Sequence, residues 1–424
     1  MTSQPTLTDT LVIGAGQAGI AMSEHLGRRA VPHLVLERGR IAEHWRSRRW
    51  DSLVMNGPAW HDRFPGLAFD SDPDGFPGKE EVAAYFEAYA RKHAVPVRTG
   101  VEVRKVRRNE RRPGFAIETS DGSYEARRVV LATGAFQQPS IPPIAPRDGS
   151  LTQLHSADYR NPSQLPEGAV LIVGAGSSGT QIADELNRSG RKVFLSVGPH
   201  DRPPRAYRGL DYCWWLGVLG EWEAAVPTPG REHVTIAVSG ARGGQTIDFR
   251  RLAHEGITLV GRARSFSTGV ACFRPDLAAN IAGGDANLRS VLDRADAYAA
   301  RNGLALPDDP EARRVYPDPR CLTEPLQQLD LAEAGVTSIL WATGYTSDYS
   351  WVEIDCFADG KPRHQRGISP EAGLYFLGLP YQSRRGSSFI WGVWHDAKFI
   401  ADHIVIQRDY WAYHDRQSRP RPTD

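Results

Sequence analysis

The hexapeptide Gly14-Ala15-Gly16-Gln17-Ala18-Gly19 follows the apolar run 10–13, and Gly174-Ala175-Gly176-Ser177-Ser178-Gly179 follows the apolar run 170–173. In such a G-x-G-x-x-G turn the first glycine makes the tight turn. The second lets the backbone approach a ligand, and the third lets the helix pack on the strand. Free N–H groups and the dipole at the helix start then favour an anion such as a pyrophosphate. A strand before and a helix after each match is the context the chemistry needs. Glu37 lies 18 residues after Gly19, where a carboxylate can accept hydrogen bonds from ribose hydroxyls. The second turn lacks that acid: its counterpart falls near Ser196-Val197-Gly198, with Arg202 and Arg205 following and Asp201 several residues late. Arginine in place of the acid is how such a fold accepts a 2′-phosphate; a solvated loop is the competing reading. Two candidate dinucleotide sites in one chain suit a tightly held flavin and a nicotinamide that visits.

These turns need strands and helices to hold them. Each apolar run is short and unbroken, as in a strand covered on both faces. A second echo joins Val129-Val130-Leu131-Ala132-Thr133-Gly134 to Ser338-Ile339-Leu340-Trp341-Ala342-Thr343-Gly344. The simplest reading is an α/β chain with two Rossmann-like domains, each with a strand ending in Ala-Thr-Gly. The pattern predicts helices over 18–28, 80–93, 180–188, 287–301 and 388–406, and strands over 34–37, 115–119, 124–130, 192–196 and 374–377. Residues 137–146 carry four prolines and read as a linker, 203–325 have little legible order, and 416–424 read as a frayed polar tail.

A length of 424 residues suits two or three domains. The formal net charge of +1 supplies no global field toward nucleic acid or membrane. No run is apolar enough to span a bilayer, and no basic region precedes an apolar one at the start, so a cytoplasmic setting is expected. The four cysteines, Cys213, Cys272, Cys321 and Cys356, are far apart and include no C-x-x-C. That argues against a disulfide scaffold, a zinc ribbon or a redox dithiol, and no metal is expected. The basic run 104–112 reads as a solvated face. Tyr207, Tyr212, Trp214, Trp215 and Trp222, with Trp391 and Trp394, read either as the lining of a pocket for a flat apolar substrate or as interdomain core.

Taken in order, the first glycine turn, Glu37, Trp45, Trp50-Asp51-Ser52-Leu53, Ala132-Thr133-Gly134, His155, the second glycine turn and Ala342-Thr343-Gly344 resemble the class B flavoprotein monooxygenases. These comprise the flavin-containing monooxygenases, the YUCCA-type enzymes and the Baeyer–Villiger monooxygenases. The resemblance covers 8–200 and 335–402. It implies a disulfide-reductase-like architecture, with an FAD domain of 8–160 and 335–406, an inserted NADP domain of 165–334 and a tail of 407–424. It implies FAD and NADPH as cofactors. The residues expected to hold them are Gly14, Gly16, Gln17, Ala18, Gly19, Glu37, Arg38, Trp45, Arg46, Ala132, Thr133, Gly134 and Ser387 in the first domain. In the second they are Gly174, Gly176, Ser177, Ser178, Gly179, Ser196, Arg202 and Arg205, with Ala342, Thr343 and Gly344. His155 and Tyr159 supply the H-x-x-x-Y half of the family fingerprint, whose Phe and Gly positions are here Gly149 and Leu151. The resemblance places His155 in the hinge between domains and Asn56 near the reactive carbon of the flavin, as catalytic candidates.

The implied reaction passes hydride from NADPH to FAD, forms a C4a-(hydro)peroxyflavin with O₂ and oxygenates a small molecule at nitrogen or sulfur, or inserts oxygen beside a ketone. A reductase feeding a quinone or protein acceptor shares both folds, and a flavin-bound regulator is the third reading. The partners expected are a small-molecule substrate and O₂, with neither nucleic acid nor membrane; a homodimer is compatible with all of this.

Overall fold

The computed structural model describes residues 4–146, 149, 151–225 and 235–417. Strand β1 (Thr6–Ile13) leads through the first glycine turn into helix α1 (Gln17–Arg28) and strand β2 (His33–Glu37). β1 and β2 pair in parallel with Ile13 opposite Leu36, which sets Glu37 just beyond the end of β1. Helix α2 (Lys79–Lys92) buries Val82, Tyr85, Phe86 and Tyr89, one face at helical spacing. β3 (Val97–Thr99) extends the sheet beside β2. β4 (Val103–Arg108), β5 (Phe115–Thr119) and β6 (Gly122–Leu131) form an antiparallel meander that returns to β1. One edge of β6 is shared: its first half pairs with β5 and its second half, in parallel, with the late strand Leu374–Phe376. The basic run is neutralised on this meander, where Lys105, Arg107, Arg108 and Arg112 pair with Glu353, Glu118, Glu371 and Glu125.

The second fold contains β7 (Thr152–His155), β8 (Ala169–Val173), helix α3 (Ser177–Arg188), β9 (Val193–Ser196), helix α4 (Tyr212–Val218) and β10 (Thr258–Val260). It continues with β11 (Ala263–Ser267), β12 (Val270–Phe273), helix α5 (Leu277–Arg301), β13 (Gln328–Asp330) and β14 (Val336–Trp341). Its parallel sheet runs β10-β9-β8-β14-β7, and β11, β12 and β13 make a second antiparallel meander. Helix α6 (Ile390–Gln417) then packs Ile390, Val393, Ala397, Ile400, Ala401 and Ile404 into the core of the first fold, beside α1.

Four sequence boundaries move. β7 and β14, assigned by sequence to the first domain through 8–160 and 335–406, are strands of the second sheet, with Leu340 of β14 opposite Ile172 of β8. Helix α5 starts at Leu277 rather than 287, because Gly283-Gly284 breaks the apolar pattern; a Cβ on Gly284 would stand 2.4 Å from His200 Nε2. Helix α6 runs to Gln417, so the expected 407–424 tail is helical over its first part, and 418–424 lie outside the described residues. The linker 137–146 is not plain coil: Gln138–Pro139 pairs with Tyr345–Thr346, so the two passages between the folds form one ribbon. No helix among the described residues is long and apolar enough to cross a membrane.

Candidate active site

At the first turn Gly14 has φ +106°, and a Cβ there would lie 2.6 Å from Ala132 O; at Gly19 it would lie 1.8 Å from Gly14 O. Only glycine lets β1, α1 and the Ala-Thr-Gly end of β6 close up this far. A Cβ on Gly16, by contrast, would meet nothing within 4 Å. Helix α1 has neither a side-chain cap nor an acidic residue in its first turn, so its N–H groups remain available to an anion. The turn opens on a cavity of about 480 Å³ lined by Gly14, Gly16, Gln17, Ala18, Glu37, Arg38, Trp45, Ala132, Thr133 and Gly134. The Glu37 carboxylate accepts from Ala15 N (2.8 Å) and Gly39 N (2.8 Å), which fixes both its oxygens at the cavity wall with lone pairs to spare.

The cavity also draws on residues the motifs did not indicate: His44, Arg49, Arg104, Gln137, Asp348, Trp351 and Ser388. Arg49 lies over Trp45 (5.7 Å) and Phe136 (5.1 Å). Burial, with Arg49, Arg38 and Arg48 nearby, pushes the His44 pKa down to about 4, so the imidazole is neutral in a cationic mouth. No contiguous motif marks these positions, because strand pairing brings them from separate parts of the chain. Three expected residues, Gly19, Arg46 and Ser387, are absent from the lining. Gly19 packs against Gly14 O. Arg46 turns toward α2, pairing with Glu87 (2.9 Å), and Ser387 is fully buried, accepting from Ser383 N and Arg384 N; its neighbour Ser388 faces the cavity instead.

The second turn repeats the backbone. Gly174 has φ +106°, with a Cβ placed 2.4 Å from Ala342 O, and Gly179 packs on Gly174 O. Its surroundings differ. A Cβ on Gly176 would meet Thr235 Cγ2 at 3.3 Å, and Ser177 Oγ donates to Ile236 O (2.8 Å). Gln181 Nε2 lies 3.3 Å from Val238 O, and Asp201 exchanges backbone hydrogen bonds with Thr235 and Ala237 (2.8 Å each). Residues 235–238 therefore form a strap across the turn. Ser196 is buried between Gly261 O and Ala263 N, and Val197, in the place of Glu37, is fully buried with its carbonyl taken by Asn280. The arginines expected at a 2′-phosphate are otherwise engaged. Arg202 is sealed by Asp285 (2.8 Å) and Asp248 (3.1 Å), and Arg205 grips both oxygens of Asp211 (2.7 Å) and the carbonyl of Asn56. Both are buried, so the solvated-loop reading also fails.

The two catalytic candidates sit on the seam between the folds. Asn56 is exposed and outside the cavity lining; its Oδ1 accepts from Gln181 Nε2 (2.8 Å) of α3. His155 is buried at the end of β7. Its Nδ1 accepts from Ala157 N (3.1 Å), so Nε2 carries the hydrogen and donates to Gly344 O (2.9 Å). Burial lowers the His155 pKa, keeping the ring neutral and fixing the end of the second Ala-Thr-Gly. Thr343 Oγ1 donates to Ser140 O across the ribbon. The aromatic group divides. Tyr212 and Trp222 join Trp391 and Trp60, Tyr207, Trp214 and Trp215 pack on α5, and Trp394 donates to Glu24 beneath α1.

Residues 11–205 match the pyridine nucleotide-disulphide oxidoreductase family. A CzcO-like oxidoreductase of Geobacillus kaustophilus is 35% identical over 405 residues, 94% of this chain and 99% of the relative. The chain belongs to the CzcO-like oxidoreductase family. Its kinship reaches further: an indole-3-pyruvate monooxygenase of the YUCCA type from Oryza sativa is 27% identical over 421 residues, 93% of this chain and 87% of the plant protein. The flavin-containing monooxygenase of Stenotrophomonas maltophilia shares the fold, with a TM-score of 0.64 at 18% identity over 95% of this chain and 99% of that one. The relationship to class B flavoprotein monooxygenases read from the motifs is borne out, as is the disulfide-reductase-like fold class.

Proposed function

We propose that this chain is an FAD- and NADPH-dependent monooxygenase that oxygenates a small molecule at nitrogen or sulfur. The observation that carries the reading is the first glycine turn, which is uncapped, open at Gly16 and backed by Glu37 in a cavity of about 480 Å³. The donor set fits FAD. The N–H groups of Gly16 to Ala18 would hold the pyrophosphate, Glu37 would accept the ribose hydroxyls, and Arg38 and Trp45 would flank the dinucleotide. A bound flavin supplies two-electron reduction by a nicotinamide and reaction with O₂. The protein's part is to bind, orient and exclude water. His155 holds the ribbon between the folds in one arrangement, and Asn56 ties the loop after Trp50 to α3. Gly174, Gly176, Ser178 and Gly179 would hold the NADPH pyrophosphate once residues 235–238 move aside. The oxygenase names of the YUCCA and Stenotrophomonas proteins support oxygenation over bare electron transfer.

The test is stoichiometry. Purified FAD-loaded protein is given NADPH and O₂, with amines, sulfides and ketones added in turn, while NADPH loss and H₂O₂ release are followed. A substrate should pull H₂O₂ well below the NADPH consumed and yield an oxygenated product. Full H₂O₂ release with every compound, alongside fast reduction of a quinone, would instead make it a reductase.

A further inference from the structure

Three residues that neither glycine turn uses meet at one point. His61 and Asp62 follow a tight turn in which both their N–H groups donate to Pro58 O (3.0 Å each). Cys213 arrives on α4, from the other fold. One imidazole nitrogen, one carboxylate oxygen and the thiol sulfur all lie within 4.8 Å of one another. The group is rigidly held. The His61 ring stacks on Trp222 (5.6 Å) and meets Trp391 (5.2 Å) and Trp60 (5.3 Å) edge-on. Asp62 Oδ1 lies 2.7 Å from His61 Nδ1, and a Cβ on Gly57 would stand only 2.5 Å from Asp62 Oδ2, so the carboxylate is pressed against the loop backbone. Cys213 is buried against Tyr212, Leu216, Trp222 and Val238.

We propose that His61, Asp62 and Cys213 bind one divalent cation of the zinc class. The donor set is one soft sulfur, one borderline nitrogen and one hard oxygen. That mixture suits Zn²⁺ or Co²⁺ rather than Mg²⁺ or Ca²⁺, which favour all-oxygen shells. Bonds of about 2.0–2.3 Å in a tetrahedron put ligand atoms roughly 3.5 Å apart, a short closing movement from the arrangement present. Three protein ligands leave a fourth position open. An independent feature fits an oxygen ligand there. Trp222 and Trp391, both in ring contact with His61, bury indole Nε1–H groups that have no acceptor among the described residues. A cation-bound water, or a substrate oxygen, would supply that acceptor and present a Lewis-acid site at the seam, a few residues from Asn56. Nothing in the spacing of the cysteines announces this, because the ligands come from two distant segments.

The test uses FAD-loaded protein stripped with a chelator and then dialysed against Zn²⁺, with Co²⁺ titrated in a parallel sample. The expected result is one tightly held Zn²⁺ per chain, and for Co²⁺ the intense visible bands of a four-coordinate thiolate site, at wavelengths beyond flavin absorption. Cys213→Ser and Asp62→Asn, checked for wild-type circular dichroism and flavin content, should each weaken Zn²⁺ binding about 100-fold or more. If a variant fails to fold, the Co²⁺ spectrum of the unaltered protein decides alone. Less than one equivalent of Zn²⁺, a Co²⁺ spectrum without the thiolate bands, or unchanged affinity in both folded variants overturns the proposal.

Discussion

A Cβ placed on Gly16 would enter open space, whereas one on Gly176 would stand 3.3 Å from Thr235. The two turns share φ +106° at their first glycine, the same packing at their third and the same Ala-Thr-Gly strand behind them. They differ in what the rest of the chain lays on top. In the first fold, β2 ends in Glu37, which braces the turn from the side and leaves the front open. In the second, the segment after β9 pairs Asp201 with the strap, buries Val197 and ties Arg202 to α5. A glycine motif therefore specifies a backbone, and long-range packing decides whether a nucleotide can reach it.

The largest effect expected from this contrast concerns Arg202. As one partner of a buried ion cluster, its loss should cost about 3–5 kcal/mol of stability. Urea unfolding of Arg202→Ala measures this. A variant of normal stability whose KM for NADPH rises sharply would instead make Arg202 a nucleotide ligand and reopen the second turn.

Acid should separate the two folds next. His25 of α1 lies against Trp394 of α6, and burial lowers its pKa from 6.5 to about 4. The folded protein keeps the ring neutral while the unfolded chain takes up a proton below 6.5, so stability is full above 6.5 and falls as the pH drops toward 4. That difference is worth about 3 kcal/mol. Flavin retention measured across this window should fall, and His25→Phe should flatten the fall. His200, whose pKa burial also lowers, belongs to the second fold, and His200→Phe should leave flavin retention on its original curve.

Glu37→Ala should act on the first turn alone. It frees the N–H groups of Ala15 and Gly39 and removes the ribose acceptor, an effect of about 2 kcal/mol, or roughly 30-fold in FAD affinity. Ser196→Ala, at the matching strand end of the second fold, should leave FAD affinity unchanged. Equal losses from both would erase the distinction between the folds.

Much of the first site could be read in the sequence because its parts are contiguous: a short apolar run, the glycine turn and an acid at the next strand end. The two Ala-Thr-Gly strands were legible for the same reason. What escaped depends on tertiary pairing. β7 is a half-buried edge strand whose residues carry no alternating pattern, so its place in the second sheet shows only through its bonds to β14. Helix α5 was half hidden by Gly283-Gly284, of which Gly284 lets the helix press on His200. Arg49 and Gln137 reach the cavity from loops without a motif, and Arg202 looked free because its partners Asp248 and Asp285 lie far off in sequence, whereas the partner of Arg205, Asp211, stands only six residues on.

The smallest expected effect is the most discriminating, because Ser177 has two rival jobs. In the structure its hydroxyl donates to Ile236 O and lies 3.4 Å from Val238 N, which holds the strap down. In a nucleotide-bound state the same hydroxyl, at the start of α3, would be free to meet a phosphate. If the strap contact dominates, Ser177→Ala removes about 1 kcal/mol from the covered state. A nucleotide that binds only the uncovered state then gains in apparent affinity as that population rises, by up to about fivefold. The KM for NADPH should fall while kcat and flavin content stay constant. If the hydroxyl instead serves the phosphate, KM rises by a similar factor. A rise would show that the strap yields at no cost and that the two turns, despite their different roofs, are equally open to their ligands.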